Sequence, residues 1–153
     1  MVRHSLLPVL ALGLLLAGAS AARAQGTGFG LGLIVGAPTG LSMKYKVSEG
    51  FAVDGALGLG FIGGNDVVLH VDALWELDLK SWPSGQLDIY LGIGGKTGSK
   101  KKDFLLGMRA PLGAAFNFRE LPFDVFVEVA AGLWILEDVS LHADGALGGR
   151  YYF

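Results

Sequence analysis

The chain has 153 residues, 25 of them glycine and none cysteine, with 52% hydrophobic and 17% charged. So much glycine excludes a helical bundle, since glycine in a helix costs about 1 kcal/mol relative to alanine; the lack of cysteine excludes disulfides, thiolate nucleophiles and cysteine metal sites. Twelve basic against 14 acidic side chains give a net charge of −2, which offers no basic surface for nucleic-acid phosphates.

The first residues read as an export address. Arg3 precedes an apolar stretch from Leu6 to Ala17, and Ala22-Arg23-Ala24 stands before Gln25 as a small-x-small cleavage pattern. This order predicts a signal peptide over residues 1–24, cut between Ala24 and Gln25. A spanning helix needs about 20 apolar residues, more than Pro8 and Arg23 enclose. The remaining domain, residues 25–153, keeps 10 basic and 14 acidic side chains and is mildly acidic.

From Thr27 onward the dominant signal is alternation with period two, the spacing of a β-strand with unequal faces. In chain order the apolar series are Phe29 to Val35, Leu41 to Val47, Phe51 to Phe61, Val67 to Leu77, Leu87 to Ile93, Leu106 to Phe118, Phe123 to Val129 and Leu141 to Phe153. Eight strands are predicted. Short connections rich in turn formers include Ala37-Pro38-Thr39-Gly40, Ser48-Glu49-Gly50, Ile62 to Asp66 and Arg119-Glu120-Leu121-Pro122. Longer loops are expected from Asp78 to Gly85 and from Lys96 to Asp103.

The opposite face carries the strand charges, seven acids and four bases set among glycine and alanine. A soluble barrel would crowd its outer face with Lys, Glu, Thr and Ser. Glycine, alanine and single charges suit instead the narrow interior of an eight-stranded barrel, and an uncharged apolar face suits lipid. Aromatics concentrate near one rim, at Phe29, Tyr45, Phe51, Trp75, Trp82, Phe116, Phe118, Phe123, Tyr151 and Phe153, with Phe61, Phe104 and Trp134 expected at the other. Aromatic girdles belong where rings meet lipid headgroups.

Gly36 to Tyr45, His70 to Trp75, Tyr90 to Gly95, Gly107 to Gly113, Phe126 to Ala130 and Gly148 to Phe153 resemble the strands of a largely uncharacterised group of small bacterial outer-membrane barrels. The resemblance covers essentially all of residues 25–153 and implies an OmpA/OmpX-like architecture, without a substrate or reaction. The ending Tyr151-Tyr152-Phe153 is similar to the carboxyl-terminal signal read by the barrel-assembly machinery. That role is carried over to Tyr151 and Phe153.

Chemistry is sought in the lumen, where Lys44, Lys46, Asp54, His70, Asp72, Glu76, Asp88, Arg109, Glu128, Asp144 and Arg150 are expected to form a paired structural network. Three other readings carry less weight. Ser140, His142 and Asp144 or Glu128 resemble a nucleophile, base and orienter of a lipid A hydrolase, but His142 has lumen parity. His70 with Asp72 and Glu76 suggests a metal site, yet no histidine pair stands at ligand spacing. Gly92 to Thr97 lacks the spacing of a phosphate loop.

The sequence thus predicts an all-β, eight-stranded antiparallel up-and-down transmembrane β-barrel, exported to the bacterial outer membrane. A monomeric structural or surface-interacting protein is expected, not an enzyme, with no cofactor. A lipid A-modifying hydrolase and a narrow ion-conducting barrel are the alternatives. Expected partners are outer-membrane lipid and lipopolysaccharide, and the assembly machinery during insertion; the Lys100-Lys101-Lys102 tip reads first as a solvated loop, with lipopolysaccharide phosphates or a host surface as the lesser reading.

Overall fold

A computed structural model describes residues 28–60, 65–136 and 138–153. The signal peptide, its Ala24/Gln25 cleavage site, Phe61 and turn residues 62–64 lie outside the described residues. The strands are β1 (Gly28–Gly36), β2 (Thr39–Ser48), β3 (Phe51–Gly60), β4 (Asn65–Trp82), β5 (Gly85–Lys100), β6 (Asp103–Phe118), β7 (Phe123–Trp134) and β8 (Ser140–Tyr152). Each pairs antiparallel with its sequence neighbour, and β1 pairs with β8 through Leu31↔Tyr151 and Val35↔Leu147. The sheet is therefore a closed barrel with no free edge.

Two expected loops are corrected. Residues 78–82 extend β4, and residues 96–100 extend β5, so both hairpins close through two-residue turns. Leu77 and Leu79 continue the outward apolar series; the Lys96 segment is held by the pairs His70↔Lys96 and Lys96↔Gly107. Its glycine and lysine content imitates a loop, while ladder hydrogen bonds on both sides make it strand. The expected turn at Ala37-Pro38-Thr39-Gly40 is also tighter, because β2 already begins at Thr39.

The Lys101-Lys102 turn has positive φ at both residues, 49° and 80°. That is the backbone of a type I′ hairpin turn, normally built from Asn-Gly. An L-residue side chain in this region costs about 1–2 kcal/mol. Lys101→Asn combined with Lys102→Gly is therefore expected to raise unfolding stability by about 1 kcal/mol, read from the urea midpoint in detergent; an unchanged or lower midpoint would contradict this.

A second irregularity lies in the wall. The β5–β6 register runs from Gly85↔Phe118 to Leu91↔Leu112 and resumes at Gly94↔Arg109. Between them stands Pro111, which has no N–H to donate to the ladder. On its other side Pro111 stays aligned with Ala130 of β7.

The two faces of the sheet separate as the alternation predicts. Leu33 is 64% exposed on the outside and Leu147 60%, whereas Arg150 is 0% exposed and Lys44 and Asp72 are 1%. The polar face is inside.

Candidate functional site: the charged lumen

Inward parity brings charged side chains from seven strands into one interior. β2 supplies Lys44 and Lys46, β3 Asp54, β4 His70, Asp72 and Glu76, and β5 Asp88 and Lys96. β6 adds Arg109, β7 Asp124 and Glu128, and β8 His142, Asp144 and Arg150. Burying a charge is costly unless partners are within hydrogen-bond reach, and here those partners come mostly from distant strands.

Arg150 is the hub of one cluster. Its Nε donates to Asp124 Oδ1 at 3.2 Å, its Nη1 lies 3.5 Å from Asp54 Oδ2, and its guanidinium stacks 4.0 Å from the centre of the Phe126 ring. The Tyr152 hydroxyl donates to the other Asp124 oxygen at 2.6 Å. Arg109 organises a second cluster, donating to Glu128 Oε1 and lying 3.3 Å, Nε to Oδ2, from Asp72. Its Nη1 reaches His70 Nδ1 at 2.6 Å. Arginine can only donate, so His70 Nδ1 accepts and the ring hydrogen sits on Nε2, facing Asp72 Oδ2 at 3.7 Å. Tyr90 closes this cluster by donating to Glu128 Oε2 at 3.0 Å.

Three smaller groups fill the remaining section. Lys44 is paired with Glu76 and lies 5.4 Å from the Tyr90 ring centre. Lys46 donates to Asn117 at 3.2 Å, and Asn117 and Gln86 each donate to Asp88 at 2.8 Å. Lys96 crosses from β5 to β8, meeting Asp144 at 2.5 Å and His142 Nε2 at 3.1 Å. The His142 ring stacks on Trp134 at 5.0 Å between centres.

The lumen glycines make room for these large side chains. A Cβ on Gly132 would come 2.1 Å from the His142 ring, and one on Gly30 2.8 Å from Tyr152. At Gly113 it would come 2.3 Å from Tyr90 Cζ and 2.7 Å from the Val127 carbonyl oxygen. Gly113→Val should thus push Tyr90 off Glu128 and cost about 1–3 kcal/mol by overpacking, measured by urea unfolding. A loss below about 0.5 kcal/mol, within the range of ordinary surface changes, would refute this packing account.

All eleven lumen residues read from the sequence point inward, although not as one network. Glu76 joins Lys44 rather than His70; Glu128 takes its place, with ligand atoms of His70, Asp72 and Glu128 within 4.8 Å of one another. The positive charge set against this trio is the Arg109 guanidinium. Lys96, Asp124, Tyr90 and Tyr152 are further members. Lys96 was hidden by its expected place in a loop, although the parity of Gly92 and Gly94 leads straight to it.

Ser140 is exposed at the mouth of β8, and the polar neighbours of His142 are Lys96 and Asp144. Gly92 to Thr97 lies within β5. Trp134, expected at an outer rim, instead turns inward beneath Lys96, 4.9 Å from its ring centre, because its even number falls on the inward set of β7. Phe104 does project outward, 61% exposed.

The opposite rim has the expected aromatic band. Phe51 meets Trp75 at 5.8 Å, and Trp82, Phe116, Phe118 and Phe123 form a chain with centre separations of 5.0–6.2 Å. Tyr151 is in register with Phe123 and 5.3 Å from Phe153, whose N–H donates to the Phe29 carbonyl. No protein-family model, curated protein or solved structure matches the chain.

Proposed function

We propose that this protein is an integral β-barrel of the bacterial outer membrane, exported by residues 1–24, with a structural or surface-interacting role and a lumen plugged by its charge network. The observation that carries this reading is the inversion of the barrel: charge is buried, while Leu, Val, Ile and Met face outward around the wall. Soluble monomers rarely expose a contiguous apolar patch of more than a few hundred Å². A closed sheet leaves no unpaired edge to hydrocarbon, and the aromatic rim fits a headgroup boundary. The resemblance to OmpA/OmpX-like barrels supports assembly by the outer-membrane machinery.

The chain should be expressed with residues 1–24 and the outer membranes extracted in detergent for a cold-versus-boiled gel. Heat-modifiable migration in that fraction is expected. Recovery in the soluble periplasm would overturn the reading. The Lys46–Asn117 and Lys96–Asp144 links cross the interior, so planar-bilayer recordings are expected to be silent at neutral pH; discrete current steps would show that the plug opens.

A further inference from the structure

At the aromatic rim an irregularity in β4 turns one side chain over. The register with β5 runs to Asp78↔Asp88 and resumes at Lys80↔Leu87, so Leu79 is an extra residue in β4. Leu87 shares the parity of Leu91, which is 53% exposed on the outer wall. A bulge of this kind re-aims the residues beyond it. Strict alternation would send Lys80 inward with Glu76 and Asp78; the bulge sets it outward instead.

The inward face is the one that offers counter-charges. A cavity of about 480 Å³ opens at this mouth of the barrel, and its lining holds Glu49, Glu76, Asp78 and Asp88 against one base, Lys46. On the outer wall Lys80 is exposed, with its Nζ 5.1 Å from the centre of the Trp82 ring. Among the described residues no carboxylate is ion-paired with it. Trp82 in turn lies 6.2 Å from Phe116, whose ring stands over Gly85: a Cβ there would come 2.5 Å from Phe116 Cζ.

We infer that Lys80, Trp82 and Phe116 form a site for one anionic phospholipid of the surrounding leaflet, its phosphate on the Lys80 ammonium and the start of an acyl chain against the two rings. This rests on the membrane reading above. Two features select an anionic lipid. The bulge takes the lysine away from four carboxylates and places it on the wall that faces lipid. A tryptophan ring on that wall belongs at headgroup depth, which holds the ammonium above it level with the lipid phosphates. An ammonium has three donors, and a phosphate supplies both the acceptors and the counter-charge that the protein does not place there.

The protein, extracted from outer membranes and delipidated in a neutral detergent, should be offered equal amounts of phosphatidylglycerol and phosphatidylcholine and examined by native mass spectrometry. The expected result is one retained lipid with about fivefold preference for phosphatidylglycerol, as one lysine at a headgroup would give, weakening as salt screens the charge. Lys80→Gln should bring the ratio close to one and Lys80→Arg should keep it, whereas Lys102→Gln, at the opposite rim, should leave it unchanged. Trp82→Ala should lower retention of both lipids, and excess inorganic phosphate should not displace the lipid.

Equal retention of the two lipids by the wild type would overturn the inference. So would an undiminished preference in Lys80→Gln, a preference lost in Lys102→Gln, unchanged retention in Trp82→Ala, or displacement by free phosphate. A cold-versus-boiled gel on every sample separates the two levels. A heat-modifiable barrel without lipid preference refutes the lipid site alone, whereas a wild type with no gel shift refutes the membrane reading and the lipid site with it.

Discussion

Arg150→Met is expected to destabilise the folded barrel by about 3–5 kcal/mol, the cost of removing one partner from a buried ion pair. The loss would leave Asp124, 0% exposed, and Asp54, 6% exposed, without the cation that bridges them. It would also remove the guanidinium from the Phe126 ring. Urea unfolding of detergent-folded protein, followed by tryptophan fluorescence and the gel shift, measures the effect. Adding Asp124→Asn should recover part of the loss, because one stranded carboxylate is then neutral and still hydrogen-bonds Tyr152. A single-variant loss below about 1 kcal/mol would place Arg150 among weakly coupled surface charges and remove the hub from the lumen network.

Leu112→Arg should act as strongly from the other side of the wall. Leu112 is 56% exposed and in register with Leu91 of β5 and Val129 of β7, both exposed. In a bilayer, arginine on the lipid face of a barrel costs about 2–4 kcal/mol near the midplane. In water, the same substitution at an exposed leucine would lie within about 0.5 kcal/mol of zero. Unfolding from phospholipid vesicles, with Leu112→Ala as the size control, therefore reads the solvent around the barrel directly. A neutral effect in vesicles would contradict insertion of this face.

The alternation of apolar and polar residues made most of this architecture legible. Parity assigns a face to each residue without any knowledge of pairing, so Lys44, Asp72 and Arg150 could be placed inside together. Parity does not say which inward side chains meet. That depends on how far each strand is offset from the others, which brings Lys46 of β2 to Asn117 of β6, and Glu128 of β7 to Arg109 of the adjacent β6 and to Tyr90 of β5. Glu76 shows the limit: it shares a strand and a face with His70 but binds Lys44.

Strand ends were obscured for a different reason. The Lys96 to Lys100 segment has Thr97 and Ser99 at its outward positions, so it loses the apolar alternation while keeping its hydrogen bonds to strands that still carry Leu69 and Leu106 outward. Lys96 consequently escaped recognition as a lumen residue. Asp124 stood in the inward series at its very beginning, next to Phe123, where the sequence suggests a rim rather than a buried partner.

The cross-barrel ion pairs also shape how the molecule comes apart. Arg150 ties the last strand to β3 and β7, and Lys96 ties that same strand to β5. Neither the first nor the last hairpin can peel away alone without stranding charges from the middle of the chain. Amide protons throughout the wall should therefore exchange through one shared opening event with similar free energies, rather than in a gradient from the seam between β1 and β8.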